Sequence, residues 1–158
     1  YSIYTMRLAR RGELLTHHKD KAVLTLLKMN SVIETDFLSV KADMNLRQMV
    51  DTISKSSRNL FPVLDDESHL IGVVLLDDIR NIMFRPDLYK RMYVSRFMAM
   101  PPAKLCIGDS MDHVMKTFDD TGAWNLPVVD ADGKYVGFVS KSKIFNSYRR
   151  VLRHYSED

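Results

Sequence analysis

The feature that most constrains the fold is an internal repeat: the segment Asn59–Ile79 is written again, with changes, as Trp124–Ile144. Matching residues stand 65 positions apart, as three pairs show: Pro62 and Pro127, Gly72 and Gly137, Ile79 and Ile144. The same spacing extends upstream, so the unit covers about 29–79 and 94–144 without an insertion. A repeat of this length predicts two copies of one supersecondary unit that share a core.

Apolar spacing predicts a helix in the first half of each copy. Apolar residues recur there at i, i+3, i+4 and i+7, which is one face of a helix: Leu46, Met49, Val50 and Ile53, then Met111, Val114, Met115 and Phe118. We expect the helix to begin near Asp43 or Asn45 in the first copy and near Asp109 or Ser110 in the second. Side chains of these types accept hydrogen bonds from the first free amides of a helix. A short strand precedes the helix, near 37–40 and near 105–107.

A hairpin and a second helix complete each copy. The segments "FPVLD" and "LPVVD" predict strands, because proline is tolerated at the start of a strand. The turns Asp65–Ser68 and Asp130–Gly133 join them to "LIGVVLL" and "YVGFVS". A last helix begins near Asp77 in the first copy and near Ser142 in the second. The order β-α-β-β-α, present twice, predicts the α+β class.

Composition narrows the function classes. The 158 residues have 46% hydrophobic and 27% charged residues and a formal net charge of +3. This charge gives no argument for nucleic-acid binding. A single cysteine cannot form an internal disulfide, which fits a reducing compartment. The longest apolar runs are too short to span a bilayer. The chain lacks an initiator Met, and we expect it to be a fragment of a longer protein.

The two copies of the repeat together resemble a known family. A Pro-Val strand ending in Asp, a turn, a strand with a central Gly and a helix, all repeated in tandem, are similar to a pair of cystathionine-β-synthase (CBS) domains. The segment "VSRFMAMPPAKLCI" resembles the family's opening motif, and "SVIETDFLSV" is a looser version with Ile33 in place of the usual Met. The resemblance covers about 29–148. It implies two units packed with pseudo-two-fold symmetry, an arrangement called a Bateman module.

The predicted domain boundaries follow from this match. Residues 1–28 are expected to form a juxtamembrane-like linker and helix, 29–85 the first CBS unit and 86–93 a linker. The second CBS unit is expected at 94–150, with a C-terminal tail at 151–158. The segment "SIYTMRLARRGELL" resembles the stretch that joins the last membrane helix of ClC-type chloride channels and transporters to their CBS pair. The arginines of that segment would lie on the cytoplasmic side; a solvated helix face explains them equally.

The resemblance also implies a ligand. CBS pairs commonly bind adenine nucleotides between their units through the pattern G-h-x-[ST]-x-x-[DN]. In this pattern the hydroxyl and the helix N-terminus face the phosphates. The acidic residue accepts hydrogen bonds from the ribose, and the loop before the Pro-Val strand of the other unit contacts adenine. No catalytic residue is implied, no cofactor is required, and ATP, ADP or AMP is the expected regulatory ligand.

This sequence divides the pattern between its copies. The first copy has Gly72, Leu75 and Asp78, and so keeps the ribose carboxylate without the hydroxyl. The second has Ser140 with Lys143 at the ribose position, and lysine cannot accept a hydrogen bond.

The two-fold arrangement of the family assigns these residues to two candidate sites. The preferred site combines residues of both copies: Gly72, Asp78, Ala123, Trp124 and Asn125. The weaker nucleotide or phosphate site combines four others: Ser140, Lys143, Arg58 and Asn59.

Plainer explanations compete with these assignments. Asp77 and Asp78 suit the start of any helix, and Trp124 can fill core beside Pro127. Cys106 is expected to be a small core residue rather than a nucleophile. The adjacent His17 and His18 point in different directions on a helix, so no metal site is predicted. The basic stretch 141–154 is expected to be a helix whose apolar stripe faces the core: Ile144, Tyr148 and Leu152.

The leading hypothesis is a non-enzymatic regulatory module of a ClC-type chloride channel or chloride/proton exchanger. It would lie at the cytoplasmic face of the membrane, form a homodimer, contact the transmembrane domain of its own chain and sense adenine nucleotides. The alternatives are a nucleotide-sensing CBS pair of another transporter or of a soluble enzyme, and a scaffold that dimerises without a ligand. Nucleic acid is not an expected partner.

Overall fold

The structure, a computed structural model, describes residues 28–157. The segment that resembles the membrane-linked stretch of ClC-type proteins lies outside the described residues, as do most of the helix expected before the first copy and the pair His17 and His18. Residues 29–31 form a single 3-10 turn.

The first copy contains helix α1 (Leu46–Ser54), strands β1 (Leu60–Leu64) and β2 (Leu70–Leu75), and the short helix α2 (Leu76–Ile79). Asn45 caps α1, as predicted: its side chain accepts from the Gln48 amide at 2.9 Å. The Gln48 side chain accepts from the Asn45 amide at the same distance. This reciprocal pair satisfies two amides that the first turn leaves unpaired. The strands β1 and β2 pair antiparallel, with Leu60 opposite Leu75.

The second copy follows after a 3-10 turn, Pro86–Leu88, and helix α3 (Val94–Phe97). Strand β3 (Leu105–Cys106) precedes helix α4 (Met111–Thr121), whose first turn is capped by Ser110. Strands β4 (Asn125–Val129) and β5 (Tyr135–Ser140) and helix α5 (Lys141–Glu157) complete the copy. The strands lie in the order β3-β4-β5 in one sheet. The predicted α+β class is confirmed, and the second copy has the predicted β-α-β-β-α order.

One predicted strand is reduced to a single bridge. We expected a strand near Phe37–Val40, but only Val40 pairs, in parallel with Val63. The Val40 amide donates to the Pro62 carbonyl at 2.9 Å, and the Val40 carbonyl accepts from the Leu64 amide at 3.0 Å. Leu38 is exposed, and the Phe37 ring packs under a guanidinium instead. The residues before Val40 therefore serve side-chain contacts rather than a strand ladder.

The described chain divides into two compact units that do not follow the repeat boundaries. The first-repeat unit consists of Thr35–Pro101 and Val129–Gly137. The second-repeat unit consists of 28–34, Pro102–Val128 and 138–157. By sequence, the first-repeat unit therefore contains two segments of the second copy, 94–101 and Val129–Gly137, and the second-repeat unit contains 29–34 of the first copy.

Backbone pairing explains this exchange of segments. In the second-repeat unit, Glu34 pairs antiparallel with Phe138 of β5 through bonds of 2.8 and 2.9 Å. In the first-repeat unit, Ala99 pairs in the same way with Val73 of β2 through two bonds of 2.8 Å. The two bridges correspond in the repeat, because Ala99 stands 65 positions after Glu34 and Phe138 stands 65 positions after Val73. The segment that leads into each copy thus adds a bridge to the hairpin of the other copy.

Each unit has its own apolar core. In the first-repeat unit a buried cluster fills the space between the helices and the hairpin: Val40, Met49, Phe61, Val63, Val74, Ile79 and Val94. In the second-repeat unit the predicted helix face is buried: Met111, Val114, Met115 and Phe118. Ile144 and Tyr148 of α5 are also buried. Ile144 and Tyr148 confirm two of the three positions in the core-facing stripe expected for the basic C-terminal helix, and the third, Leu152, is half-buried.

The two hairpin turns offer a matched test of backbone strain. Ser68 has a φ of 67°, and its repeat counterpart Gly133 has a φ of 83°. A positive φ costs a residue with a side chain roughly 1–2 kcal/mol, and glycine avoids this cost at a smaller loss of entropy. Replacing Ser68 by glycine should therefore raise the free energy of unfolding by about 0.5–1 kcal/mol. Urea denaturation of the wild type and the variant measures the difference.

The reverse change is the control. A Cβ at Gly133 would meet only the His69 ring at 3.5 Å, an ordinary contact. Gly133→Ala therefore adds backbone strain without a clash, and should lower the free energy of unfolding by about 1–2 kcal/mol. A Ser68→Gly variant that is less stable than the wild type would contradict this account of the turn.

Candidate functional site

The same backbone hydrogen bond closes one end of each repeat. In the first copy the Leu76 amide donates to the Asn59 carbonyl at 2.9 Å, and in the second the Lys141 amide donates to the Trp124 carbonyl at 2.9 Å. Each bond ties the residue just before or at the start of a strand to the first residue of the following helix. The repeat therefore builds two equivalent ends, and the side chains there decide what each end can bind.

Asp78 lies at the first of these ends, in the short helix α2. Its side chain is exposed. The neighbouring carboxylate of Asp77 accepts from the Arg80 guanidinium at 2.6 Å, whereas no residue within 28–157 pairs with the Asp78 carboxylate. Both acidic residues that open this helix are exposed, and Asp78 is the one whose carboxylate is not engaged by a residue within 28–157 and can accept hydrogen bonds from a ligand.

Gly72 has a packing role in the structure. It lies in β2 opposite Val63, and a Cβ there would approach the Met98 sulfur to 2.8 Å and the Ala99 carbonyl oxygen to 3.3 Å. The absence of a side chain thus lets the segment that leads into the second copy lie against the hairpin. The candidate ligand contact at Gly72 remains a prediction, and the glycine is explained without it.

Trp124 is exposed, which overturns the alternative that it fills core beside Pro127. Its side chain has 67% of its surface in contact with solvent. The Lys141 ammonium lies over the indole ring, 5.1 Å from its centroid. The core position next to it is taken by Leu126, which is fully buried. An exposed indole on a backbone position held by the Lys141 amide is available to stack on a planar ligand.

The loop before Trp124 is shaped by a helix end. Helix α4 ends at Gly122, which has a φ of 68° and donates its amide to the Phe118 carbonyl at 2.9 Å. The Ala123 amide then donates to the Thr121 hydroxyl at 3.2 Å. Glycine is favoured at this position because a left-handed conformation ends the helix. The result is a short turn that presents Trp124 and the exposed Asn125 at the start of β4.

Ser140 and Lys143 are placed at the start of helix α5, as predicted. The Ser140 hydroxyl oxygen accepts from the Lys143 amide at 3.0 Å and so caps the helix. Both side chains are half-buried. The hydroxyl retains its proton for donation to an anion, while the lysine side chain offers only donors. The sequence-based contrast between this end and Asp78 is therefore preserved in the structure.

Arg58 is already engaged, which changes the prediction for the weaker site. Its guanidinium donates to both oxygens of Asp36, at 3.1 Å from Nε and 2.5 Å from Nη2, and stacks on the Phe37 ring with 4.5 Å between Cζ and the centroid. Its amide donates to the Ser56 hydroxyl at 2.8 Å. A phosphate at this position would have to compete with a two-point ion pair. Asn59 is exposed and its carbonyl holds the Leu76 amide.

The ion pair between Asp36 and Arg58 predicts a pH dependence of stability. Hydrogen bonding from Arg58 lowers the pKa of Asp36 below its ordinary value of 3.8. A carboxylate with a lowered pKa in the folded state stabilises the fold above pH 3.8, and this contribution is lost as pH falls through the folded-state pKa. Asp36→Asn should therefore lower the melting temperature at pH 7, with a difference that disappears on acidification.

Thermal melts between pH 7 and pH 2.5 provide the measurement. Asp66→Asn is the matched control, because the Asp66 carboxylate is fully exposed and 3.7 Å from Lys41. Its melting temperature should follow the wild type throughout. A constant deficit of Asp36→Asn at all pH values would show that the amide acts through packing and not through charge.

Cys106 corrects a second expectation. The residue lies in a strand, as predicted, but its side chain is exposed rather than in the core. The neighbouring strand residue Leu105 is fully buried, so the alternation of a strand places Cys106 on the outer face. Its amide donates to the Asp109 carboxylate at 2.9 Å, which ends the strand after two residues.

The candidate residues divide between the compact units. Four lie in the first-repeat unit: Arg58, Asn59, Gly72 and Asp78. Five lie in the second-repeat unit: Ala123, Trp124, Asn125, Ser140 and Lys143. Three residues that contact the candidate residues were not predicted from the sequence. Asp36 and Phe37 contact Arg58, and Lys141 lies over the Trp124 ring. The signal for Lys141 was its position 17 residues after the only tryptophan, at the start of a helix.

The repeated fold and the matching hydrogen bond at the start of the last helix in each copy define a tandem-repeat α+β module. The model of the CBS domain family matches residues 29–85 and 94–150. The chain therefore belongs to the CBS domain family and carries two CBS domains. No helix among residues 28–157 is long and apolar enough to cross a membrane.

Among curated proteins, the chain is 28% identical over 141 residues to an inosine-5'-monophosphate dehydrogenase of Aquifex aeolicus, covering 84% of this chain and 28% of that protein. It is 18% identical to a homoserine O-acetyltransferase of Methanococcus vannielii, covering 75% of this chain and 24% of that protein. The chain thus spans about a quarter of the length of the curated relatives it matches.

Solved structures show the same fold. The CBS domain of a bacterial CNNM/CorC family Mg²⁺ transporter in complex with ATP has a TM-score of 0.71 at 15% identity, covering 89% of this chain and 97% of that one. CBSX2, a CBS-pair protein from Arabidopsis thaliana, in complex with AMP has a TM-score of 0.65 at 21% identity, covering 78% and 97%.

Proposed function

We propose that this CBS pair is a regulatory module that binds an adenine nucleotide. The observation that carries the proposal is the exposed indole of Trp124, which is anchored through its carbonyl to the start of helix α5. A large aromatic side chain exposed at a fixed position has no packing role, and a purine is a ligand that can cover it. Two proteins with this fold, CBSX2 and the CNNM/CorC CBS domain, are described in complex with AMP and ATP.

The proposal assigns each candidate residue a role. Asp78 accepts hydrogen bonds from the ribose hydroxyls, because its carboxylate is exposed and lacks a partner among residues 28–157. Trp124 stacks on the adenine, and Ala123 and Asn125 form the loop around it. At the other end, Ser140 and Lys143 can donate to a phosphate but cannot accept from a ribose. The Asp36 carboxylate that holds Arg58 further weakens anion binding there, so we propose one main site.

The host protein is a separate part of the proposal. The resemblance of the residues before the CBS pair favours a ClC-type chloride channel or exchanger, with the pair at the cytoplasmic face as a homodimer. The relatives favour a second candidate: the curated match is an inosine-5'-monophosphate dehydrogenase and a structural match comes from a Mg²⁺ transporter. Membrane helices encoded directly before residue 1 would support the first host, and a catalytic domain there would support the second.

Calorimetric titration with AMP, ADP and ATP tests the binding proposal. The wild-type chain should bind at least one of them with a dissociation constant below 1 mM and one ligand per chain. The intrinsic fluorescence of Trp124, the only tryptophan, should change on the same titration. Absence of binding for all three nucleotides at millimolar concentration would overturn the proposal and leave a dimerisation scaffold as the remaining hypothesis.

A further inference from the structure

The contact between Lys141 and Trp124 has no counterpart in the first copy. The equivalent positions, 65 residues earlier, are Leu76 and Asn59. They make the same backbone hydrogen bond, with the same length of 2.9 Å. The backbone at the two ends is therefore alike, and the ammonium over the indole is an addition that the fold of the repeat does not require.

Because Trp124 is exposed, the contact with Lys141 affects how freely its indole ring can move. An indole with 67% of its surface exposed has few apolar neighbours to fix its rotamer. Its carbonyl is fixed by the Lys141 amide, but this bond does not restrain the ring. The half-buried Lys141 side chain places its ammonium 5.1 Å from the ring centroid. A cation at this distance is attracted to the electron-rich face of the indole.

We propose that Lys141 is a positioning residue, which holds the indole of Trp124 in the orientation that stacks on the base of the nucleotide. The ammonium covers one face of the ring and leaves the other face for a purine. A fixed ring binds more tightly, since less side-chain freedom is lost when the ligand binds. This inference rests on the proposed nucleotide site and assigns to it a residue that acts through Trp124 rather than on the ligand.

Three variants separate this role from others. Lys141→Met removes the charge and keeps the length of the side chain. Lys141→Arg keeps the cation. Arg150→Met is the control, because it removes a positive charge from the same helix α5 at an exposed residue that belongs to neither candidate site. All three keep the backbone bond between residues 141 and 124.

Fluorescence of Trp124 without nucleotide is the first measurement. Lys141→Met should increase acrylamide quenching and lower the anisotropy, because the ring moves more freely. Lys141→Arg and Arg150→Met should resemble the wild type. If Lys141→Met leaves both signals unchanged, the ammonium does not hold the ring and the inference is wrong, whether or not the wild type binds nucleotide.

Calorimetry with adenosine and AMP is the second measurement. The loss of a cation–ring contact at an exposed site should weaken binding about two- to fivefold in Lys141→Met, with recovery in Lys141→Arg. Adenosine and AMP should lose affinity by the same factor, because the effect passes through the stacked ring. A loss confined to AMP would indicate a direct phosphate contact, and an equal loss in Arg150→Met would indicate a general charge effect; either result overturns the inference. If wild type binds neither ligand, the proposed function itself fails.

Discussion

Asp78→Ala is expected to weaken the binding of AMP by at least about 100-fold. A carboxylate that accepts hydrogen bonds from two ribose hydroxyls gains roughly 1.5–3 kcal/mol from each. Loss of both bonds therefore corresponds to two or more orders of magnitude in the dissociation constant. The residue is exposed and has no partner within 28–157, so its removal should leave the melting temperature near that of the wild type. Calorimetry with AMP measures the affinity.

Asp77→Ala is the matched control for this experiment. Asp77 precedes Asp78 on the same short helix, has the same charge, and pairs with Arg80 at 2.6 Å. Its removal changes the local potential as much as that of Asp78 but should alter the affinity only slightly. Ser140→Ala should also have little effect. Equal losses in Asp77→Ala would show that charge alone matters, and a larger loss in Ser140→Ala would move the main site to the other end.

Gly72→Val is expected to have the largest effect on stability, with a loss of about 2–4 kcal/mol of the free energy of unfolding. A Cβ alone would lie 2.8 Å from the Met98 sulfur and 3.3 Å from the Ala99 carbonyl oxygen. The sulfur can rotate away, but the carbonyl belongs to the backbone that pairs with Val73. The branched side chain would therefore separate this segment from the hairpin. Urea denaturation measures the loss.

A double-mutant cycle tests whether a side chain at residue 72 clashes with Met98. Gly72→Ala should cost about 1–3 kcal/mol, and combination with Met98→Ala should recover part of that cost, since the shorter side chain leaves room for the new methyl group. Additive effects of the two substitutions would indicate that they do not interact. In that case the new methyl group would strain the Ala99 carbonyl instead. Hydrogen exchange at the Val73 and Ala99 amides would then increase in the single variant Gly72→Ala.

The repeat was sufficient to predict most of the fold. Helix starts at Asn45 and Ser110, hairpin strands and buried helix faces all follow from local patterns that the 65-residue spacing confirms twice. The two failures have different causes. Phe37 was expected in a strand, but it lies under Arg58, which is distant in the sequence. Cys106 lies in a strand as expected, but alternation with the buried Leu105 turns its side chain outward.

The candidate site was predictable only in part, for a related reason. The divided motif identified Asp78, Ser140 and Lys143 by position, because each follows a glycine at fixed spacing. Their surroundings were not visible. The engagement of Arg58 by Asp36 joins residues 22 positions apart, and Trp124, just before β4, is exposed whereas Leu126 within the strand is buried. A single sequence contains no signal for either.

The segment that leads into each copy pairs with the hairpin of the other copy, and this bears on how such a module could arise. A single copy of the repeat has a hairpin that lacks the bridge supplied at Ala99 or Glu34, and a lead segment with no hairpin of its own to join. Two identical chains of one copy would complete one another, but any change at the start of the last helix would then appear in both copies. Fusion of the copies into one chain removes that restriction. The duplicated gene can keep a carboxylate at residue 78 and acquire a lysine at residue 143, while the pairing that both halves require stays unaltered.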